Sequence, residues 1–245
     1  MAKLKVLDLF SGIGGFSLGL ERTGGFETVA FCEIDPFCQK VLKKNWPDVP
    51  IFNDVRTLNY DGAVDVITGG FPCQDISRAG KGAGLAGKQS GLWADYLRLI
   101  KTHEPRFVII ENVGRLRSNG LFEILKNLFE VGYDAEWHCI PAYAVGSPQE
   151  RDRTWIVAYP VQPRFTGRWA SRISGGSAGE EEVGQDGRRE SQEADVQFWV
   201  EPDVDRVAYG LPDAVDRINK LGNAVLPQIP EIIGHAILQS MKETP

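Results

Sequence analysis

The residue best suited to chemistry in this sequence is Cys73, in the stretch Gly69-Gly70-Phe71-Pro72-Cys73-Gln74-Asp75-Ile76-Ser77. The apolar run Val64-Asp65-Val66-Ile67-Thr68 precedes it and has the length and β-branched content of a buried strand. Two glycines then let the backbone turn freely, and Pro72 fixes φ just before the thiol. Because open α/β sheets bind ligands at the carboxyl ends of their strands, Cys73 is a candidate nucleophile. The alternative is a small buried hydrophobe, as most free cysteines are.

A glycine-rich turn, Ser11-Gly12-Ile13-Gly14-Gly15, follows the predicted strand Leu4–Phe10 and precedes an apolar helical period. A strand, a glycine turn and a helix in this order open a nucleotide-binding α/β unit. The spacing is G-x-G-G rather than G-x-G-x-x-G, so it gives a dinucleotide little support, and a simple tight connection is the alternative. Glu33 ends the next predicted strand, roughly 20 positions after the first glycine, where a carboxylate can accept from both ribose hydroxyls. This placement predicts a nucleoside ligand.

Acidic residues follow two further predicted strands. Asp54 comes after Ile51–Phe52 and could accept a hydrogen bond from an adenine amino group, although an Asx turn alone would explain it. Glu111 comes after Phe107–Ile110. Since ligands of open α/β sheets bind outside the carboxyl ends of the strands, we expect Glu111 at the same edge of the sheet as Cys73.

Basic residues are concentrated in two polar segments. Residues 78–90 are rich in glycine and have no apolar period, so we interpret them as a lid with cationic contacts to phosphates; the alternative is an ordinary surface loop. Arg151 and Arg153 stand just before the predicted strand Thr154–Tyr159 and project from the same side of an extended chain. A salt-bridged surface is the alternative for this pair.

The composition is that of an ordinary globular protein of 245 residues, with 42% hydrophobic and 24% charged residues. A formal net charge of -6 argues against attraction of nucleic acid to the whole surface, but not against a local basic face. The four cysteines include no C-x-x-C pair, so we expect neither a zinc site, nor any other metal, nor a disulfide framework, and we expect a reducing cytoplasm. The start has no signal-like segment and no stretch approaches membrane-spanning length, so we expect no membrane association.

Five motifs, taken together and in this order, resemble those of the DNA (cytosine-5) methyltransferase family. They are Asp8-Leu9-Phe10-Ser11-Gly12-Ile13-Gly14-Gly15-Phe16, Gly70-Phe71-Pro72-Cys73-Gln74, Glu111-Asn112-Val113, Gln149-x-Arg151-x-Arg153 and Gly222-Asn223-Ala224-Val225. The resemblance covers most of residues 4–159 and again 218–240. It is that of a compact, prokaryotic or phage-like member.

The resemblance implies an α/β, Rossmann-like, S-adenosylmethionine-dependent methyltransferase fold. It would have a mostly parallel sheet of about seven strands with helices on both faces. Residues 1–159 would form the catalytic and cofactor-binding domain, 160–208 a short and partly disordered target-recognition region, and 209–245 a segment that returns to the first domain. Apolar periods predict helices over Gly91–Thr102, Asn119–Glu130 and Pro227–Met241.

The cofactor implied by the resemblance is S-adenosyl-L-methionine. The residues expected to line its site are Phe10, Gly12, Ile13, Gly14, Gly15, Glu33, Ile34, Asp54, Val55, Pro72, Leu92, Asn223 and Val225.

The implied reaction is methylation of carbon 5 of a flipped-out cytosine in double-stranded DNA. Cys73 would add to carbon 6 as a thiolate, and Glu111 would bind ring nitrogen 3. Arg153 would stabilise oxygen 2, with Arg151 nearer a phosphate or Glu111, and Gln149 opens the same motif. The DNA contacts expected from the glycine-rich segment are Arg78, Lys81 and Lys88.

The resemblance also implies a cytoplasmic monomer, which a restriction endonuclease acting on the same site can accompany. Two alternatives stay open. One is a catalytically silent DNA-binding remnant, and the other is methylation of RNA by the same chemistry.

Overall fold

The computed structural model describes residues 2–72, 91–118, 120–147, 151–161 and 224–243. The strands are β1 (Leu4–Leu9), β2 (Phe26–Cys32), β3 (Ile51–Phe52), β4 (Val66–Gly69), β5 (Phe107–Val113), β6 (Tyr133–Pro141) and β7 (Asp152–Pro160). The α-helices are α1 (Gly15–Arg22), α2 (Pro36–Asn45), α3 (Leu92–His103), α4 (Leu121–Glu130) and α5 (Gln228–Glu243). Short 3-10 helices span Gly114–Arg117 and Ala142–Val145.

Within these residues the strands form one seven-stranded sheet in the order β3-β2-β1-β4-β5-β7-β6. The pairings among β1 to β5 are parallel, whereas β7 runs antiparallel between β5 and β6. The predicted mostly parallel sheet is therefore confirmed. Because the strand order reverses beside β1, the carboxyl ends of β1 and β4 flank the crevice where such sheets bind ligands.

Helices cover both faces of the sheet. Alternate residues of β1 point to opposite faces, so Leu7 and Leu9 join one core cluster while Leu4 and Val6 join the other. Helices α3 and α4 contribute to the first cluster, and α1 and α5 to the second. Strands β1, β4, β5 and β7 are buried along most of their length, which is why they read in the sequence as nearly continuous apolar runs.

The segment that leads into α5 lies directly against α1. A Cβ atom added at Gly15 would overlap the carbonyl oxygen of Val225, and one added at Gly19 would overlap the carbonyl oxygen of Pro227. These two glycines stand one helical turn apart, on the same face of α1. Their missing side chains allow the carboxyl-terminal segment to approach the helix that follows the glycine turn.

The predicted recognition region, residues 160–208, lies outside the described residues apart from its first two. Of the helices in the described ranges, none is both long enough and apolar enough to cross a membrane.

Substitution of Gly19 by alanine tests the packing of α5 on α1. Helix propensity alone favours alanine over glycine by about 1 kcal/mol. The overlap of the new Cβ with the carbonyl oxygen of Pro227 destabilises the folded state and outweighs this gain. We therefore expect Gly19→Ala to lower the free energy of unfolding by about 1–3 kcal/mol in urea denaturation. Leu18→Ala, at an exposed position of the same helix, is the control and should cost about 0.5 kcal/mol or less. A gain in stability for Gly19→Ala would contradict this packing.

Candidate active site

The glycine turn after β1 has an unusual backbone conformation. Phe10 has a φ of 52°, in the left-handed region that residues other than glycine rarely adopt. Gly12 and Gly14 have φ values of 54° and 89°. The Phe10 ring stacks on Tyr96 with ring centroids 6.3 Å apart. The predicted strand Leu4–Phe10 therefore ends one residue early, because Phe10 already turns the chain. Strained residues of this kind cluster at functional sites.

Glu33 joins this turn to the end of β2. Its Oε2 accepts a hydrogen bond of 2.7 Å from the backbone N–H of Gly12, and its Oε1 accepts one of 2.8 Å from that of Asp35. Each oxygen keeps a further lone pair, so the carboxylate can still accept from a ligand. The neighbouring Ile34 is 68% exposed and offers an apolar surface beside it.

The other described residues predicted to bind cofactor differ in accessibility. Asp54 holds Arg56 through both carboxylate oxygens, and these hydrogen bonds lower the pKa of Asp54. Val55 is buried in the core, whereas Leu92 is half-buried at the start of α3. Asp54 would have to exchange its partner in order to contact an adenine.

The two glycines at the end of β4 have a different role from the one predicted. Neither Gly69 nor Gly70 has a positive φ, so freedom to turn is not what these positions use. A Cβ at Gly69 would lie 2.6 Å from the carbonyl oxygen of Leu9, and one at Gly70 would lie 2.8 Å from Oε2 of Glu111. The absence of side chains lets the Glu111 carboxylate approach the chain three residues before Cys73.

Asn112 links β5 to the same segment. Its side-chain amide donates a hydrogen bond of 3.0 Å to the carbonyl oxygen of Phe71, and its side-chain oxygen accepts one of 2.9 Å from the N–H of Val113. Asn112 is buried, so both bonds are shielded from water. The residue thus holds the stretch that leads to Cys73 against the neighbouring strand.

Glu111 and Arg153 form an ion pair between β5 and β7. Arg153 Nε lies 2.8 Å from Glu111 Oε1, yet that oxygen has no aligned hydrogen bond within the described residues. Burial raises the pKa of Glu111, and Arg153 and Arg151 offset part of the rise. The carboxyl group is therefore more easily protonated than an exposed one, and it can form a hydrogen bond with a ligand.

Arg151 connects this cluster to the carboxyl-terminal segment. Its Nη1 donates to the carbonyl oxygen of Ala224. Arg151, Arg153, Glu111 and Val225 all line one small cavity at this point. The sequence predicts Glu111 at this edge, the family resemblance predicts the two arginines beside the same ligand, and the structure brings all three together.

A second acid, Asp8, is missing from the predicted site residues. It lies within β1, is 0% exposed, and accepts hydrogen bonds from Ser17 of α1 and Thr68 of β4. Burial raises the pKa of Asp8 to about 7. The signal that could have revealed it is an acidic residue inside an otherwise apolar strand.

An open cavity of about 730 Å³ lies beyond the end of β5. Its lining includes Arg115, Arg117 and Asp152. Cys32 lies at the end of β2, where burial, Glu33 and nearby aspartates raise the pKa of the thiol to about 12. Cys32 is thus a poor source of thiolate.

Several predicted site residues lie outside the described ranges, and their assignments stay predictions. They are Cys73, Arg78, Lys81, Lys88, Gln149 and Asn223.

The sheet order, the strained turn after β1 and the buried acid with two arginines at the carboxyl edge define an α/β protein with a site at its topological switch point. Residues 4–180 match the family model for C-5 cytosine-specific DNA methylases, so the chain belongs to that family. The predicted family resemblance is confirmed.

Curated relatives match over the same part of the chain. Type II methyltransferase M2.BsuMI of Bacillus subtilis (strain 168) is 38% identical over 163 residues, which are 63% of this chain and 42% of the relative. Type II methyltransferase M.AluI of Cellulosimicrobium cellulans is 35% identical over 203 residues, 75% of this chain and 39% of the relative. The chain thus spans about two fifths of the length of these relatives.

Solved structures agree on the fold. The structure of a Spodoptera frugiperda DNMT2 mutant matches with a TM-score of 0.58 and 22% sequence identity. The match covers 68% of this chain and 53% of the DNMT2 chain. The structure of the S. pombe Dnmt2 methyltransferase matches with a TM-score of 0.55 and 22% sequence identity. The match covers 66% of this chain and 51% of the Dnmt2 chain. The chain has the Rossmann-like fold of the S-adenosylmethionine-dependent methyltransferases.

The raised pKa of Asp8 predicts a pH-dependent stability. Because the folded chain holds this proton more tightly than the ordinary pKa of 3.8, the stabilising contribution is complete below pH 3.8 and is lost as the pH rises through 7. Asp8→Asn cannot titrate there. Between pH 5 and pH 8 we expect the free energy of unfolding of the wild type to fall by about 2–3 kcal/mol more than that of Asp8→Asn. Denaturant titrations at both pH values measure this difference, and parallel pH dependences would contradict it.

Proposed function

We propose that this chain transfers the methyl group of S-adenosyl-L-methionine to carbon 5 of a cytosine in double-stranded DNA, in the cytoplasm of a prokaryotic host. The observation that carries the proposal is the ion pair of buried Glu111 with half-buried Arg153, placed against Gly70 at the edge of the sheet where the chain continues to Cys73. Membership of the cytosine-specific family supports the choice of base.

The described residues fit S-adenosyl-L-methionine. Glu33 keeps lone pairs for two ribose hydroxyls, and exposed Ile34 can cover one face of the adenine. A Cβ at Gly12 would meet no atom within 4 Å, so space is open beside the turn. When bound, this cofactor supplies an electrophilic methyl group. The chain's part is to hold it at the crevice between β1 and β4.

The proposed nucleophile is Cys73. Carbon 5 of cytosine is too weak a nucleophile to take the methyl group unaided, and addition of a thiolate at carbon 6 makes the ring an enamine. Cys32 is unsuited to this role because it is buried beside carboxylates with its pKa raised to about 12. Position also favours Cys73, which follows the strand end that Asn112 holds in place.

Glu111 and Arg153 would stabilise the charge that this addition drives into the ring. A buried carboxyl with a raised pKa can donate a proton toward ring nitrogen 3, and an arginine can bind oxygen 2. The ion pair supports this role, because it holds the acid and the cation within 2.8 Å of each other at the same edge of the sheet. After carbon 5 has taken the methyl group, water or hydroxide would remove the carbon 5 proton, and the bond between sulfur and carbon 6 would break to release the thiolate.

Duplex DNA hides the edge of the cytosine that these residues must reach. The target base would therefore leave the stack, at a cost of a few kcal/mol. Arg115 and Arg117 line the open cavity beyond the end of β5 and can contact phosphates there. Their position explains how an acidic chain can bind DNA through one local basic face.

The test of the proposed function is to express the chain in cells that lack cytosine methylation and to sequence their DNA after bisulfite conversion. We expect 5-methylcytosine at a defined sequence, and none in cells that express Cys73→Ala. Purified chain with labelled S-adenosyl-L-methionine is then offered duplex DNA and structured RNA. Transfer to RNA alone would contradict the substrate assignment, and transfer to neither by folded chain would contradict the reaction.

Glu111→Gln keeps the shape of the side chain and removes its acid. We expect kcat to fall roughly 10²–10⁴-fold, because proton donation to the ring is lost. Glu130→Gln on the exposed end of α4 is the control and should keep wild-type kcat. A Glu111→Gln enzyme with wild-type kcat would exclude Glu111 from the chemistry.

The Arg115→Ala/Arg117→Ala double variant tests the basic face. Each lost phosphate contact lowers the salt dependence of binding, so the slope of log Kd against log salt should decrease by about 2 for the pair. Fluorescence anisotropy with a labelled duplex at several salt concentrations measures this slope. Lys101→Ala/Lys126→Ala removes the same charge from α3 and α4 and should change the slope little; equal effects of the two variants would refute a specific role for the arginines.

A further inference from the structure

We infer that Asp8 is a positioning residue for methyl transfer, whose carboxylate holds the helix after the cofactor turn and the strand that leads to Cys73 at a fixed separation. This inference rests on the proposed function, and it adds a residue to which no role in the reaction has been given.

The geometry places Asp8 at the junction of three elements. Ser17 Oγ, in the first turn of α1, donates a hydrogen bond of 2.7 Å to Asp8 Oδ2. Thr68 Oγ1 in β4 donates one of 2.8 Å to Oδ1, and Thr68 is also the register partner of Asp8 in the sheet. Ser11 Oγ, in the glycine turn, donates one of 2.6 Å to the Asp8 carbonyl oxygen. One residue thus contacts the turn, the helix and the adjacent strand.

These contacts are close in sequence to the predicted cofactor turn and to the predicted nucleophile. The glycine turn starts three residues after Asp8, and Gly69 to Pro72 continue directly from Thr68 toward Cys73. Both carboxylate oxygens are held by hydroxyl donors on different elements, so a shift of α1 relative to β4 would break one of the two bonds. Because rates of this kind of chemistry fall steeply with misplacement, a fixed separation has direct kinetic value.

Asp8 is costly as a purely structural residue. It is fully buried, and the titratable groups that act on it, Glu33, Cys32 and Tyr96, provide no compensating positive charge. Asparagine has the same shape and would avoid burying a charge, but its amide nitrogen donates rather than accepts, so it cannot accept hydrogen bonds from both hydroxyl groups as Asp8 does. A carboxylate in this position therefore reduces stability at neutral and higher pH, which is typical of residues that serve function.

The experiment separates stability from activity in three variants assayed at pH 8. They are Asp8→Asn, Thr68→Val, which removes one hydroxyl donor, and Thr68→Ser, which keeps it. For each we measure unfolding, kcat, KM for DNA, and the dissociation constant of S-adenosyl-L-methionine by calorimetry. We expect Asp8→Asn to be at least as stable as the wild type and yet to lose roughly 10–100-fold in kcat, with KM for DNA nearly unchanged. Thr68→Val should lose activity similarly, and Thr68→Ser should restore most of it.

Amide hydrogen exchange gives a readout independent of catalysis. We expect Gly12 and residues 69–71 to exchange faster in Asp8→Asn than in the wild type, while β5 exchanges at the same rate. Wild-type kcat or unchanged exchange in Asp8→Asn would overturn the positioning role. If the wild type itself methylates no nucleic acid, the proposed function fails, and the exchange comparison still tests whether Asp8 holds the two segments together.

Discussion

The site depends on one arrangement of charge, the ion pair that buried Glu111 of β5 forms with half-buried Arg153 of β7. Its formation follows from topology. Strand β7 runs antiparallel to β5, so the arginines that begin β7 lie beside the residues that end β5. A carboxylate alone at this depth would pay a large desolvation penalty, and the guanidinium groups of Arg153 and Arg151 offset part of it. The result is an acid that is easily protonated and held at the edge where a nucleobase could enter.

Close backbone contacts give this edge its shape. Gly70 admits the Glu111 carboxylate, and Gly15 and Gly19 admit the segment before α5. Arg151 also contacts the carboxyl-terminal segment, because its guanidinium donates a hydrogen bond to the carbonyl oxygen of Ala224. Ala224 directly follows the predicted cofactor contact Asn223. The acid, the helix after the glycine turn and the carboxyl-terminal segment are therefore packed as one unit. A change at any of these glycines acts on the site although it removes no functional group.

The sequence predicts the sheet well because strands that are buried on both faces consist of nearly continuous apolar residues, and turn residues mark their ends. It is less accurate about boundaries. Strand β5 continues past Ile110 to Val113, because its pairing with β7 extends through polar residues as far as Arg153. Strand β7 starts at Asp152 rather than Thr154, because Asp152 still pairs with Pro141 of β6. A local pattern cannot reveal the pairing of β5 with β7, which joins segments about 40 residues apart.

The site shows the same limit. The position of Glu111 at a strand end could be predicted from the sequence, and the roles of the arginines from the family resemblance, but the roles of Asp8 and Asn112 could not be predicted. Both act through hydrogen bonds to residues distant in sequence, Thr68 and Phe71. For Gly69 and Gly70 the sequence predicts freedom of the backbone to turn, and this reason is wrong because neither has a positive φ. Glycine is needed there because Leu9 and Glu111 approach these two residues closely.

The measurement that tests the account most directly is covalent trapping. Duplex DNA that carries 5-fluorocytosine at the methylated site is incubated with the chain and S-adenosyl-L-methionine, and the products are separated under denaturing conditions. Because fluorine cannot leave as a proton does, we expect a stable protein–DNA adduct whose modified peptide contains Cys73, and none with Cys73→Ala. Methylation of the normal site without any adduct on the fluorinated one, or an adduct on another cysteine, would contradict the proposed mechanism.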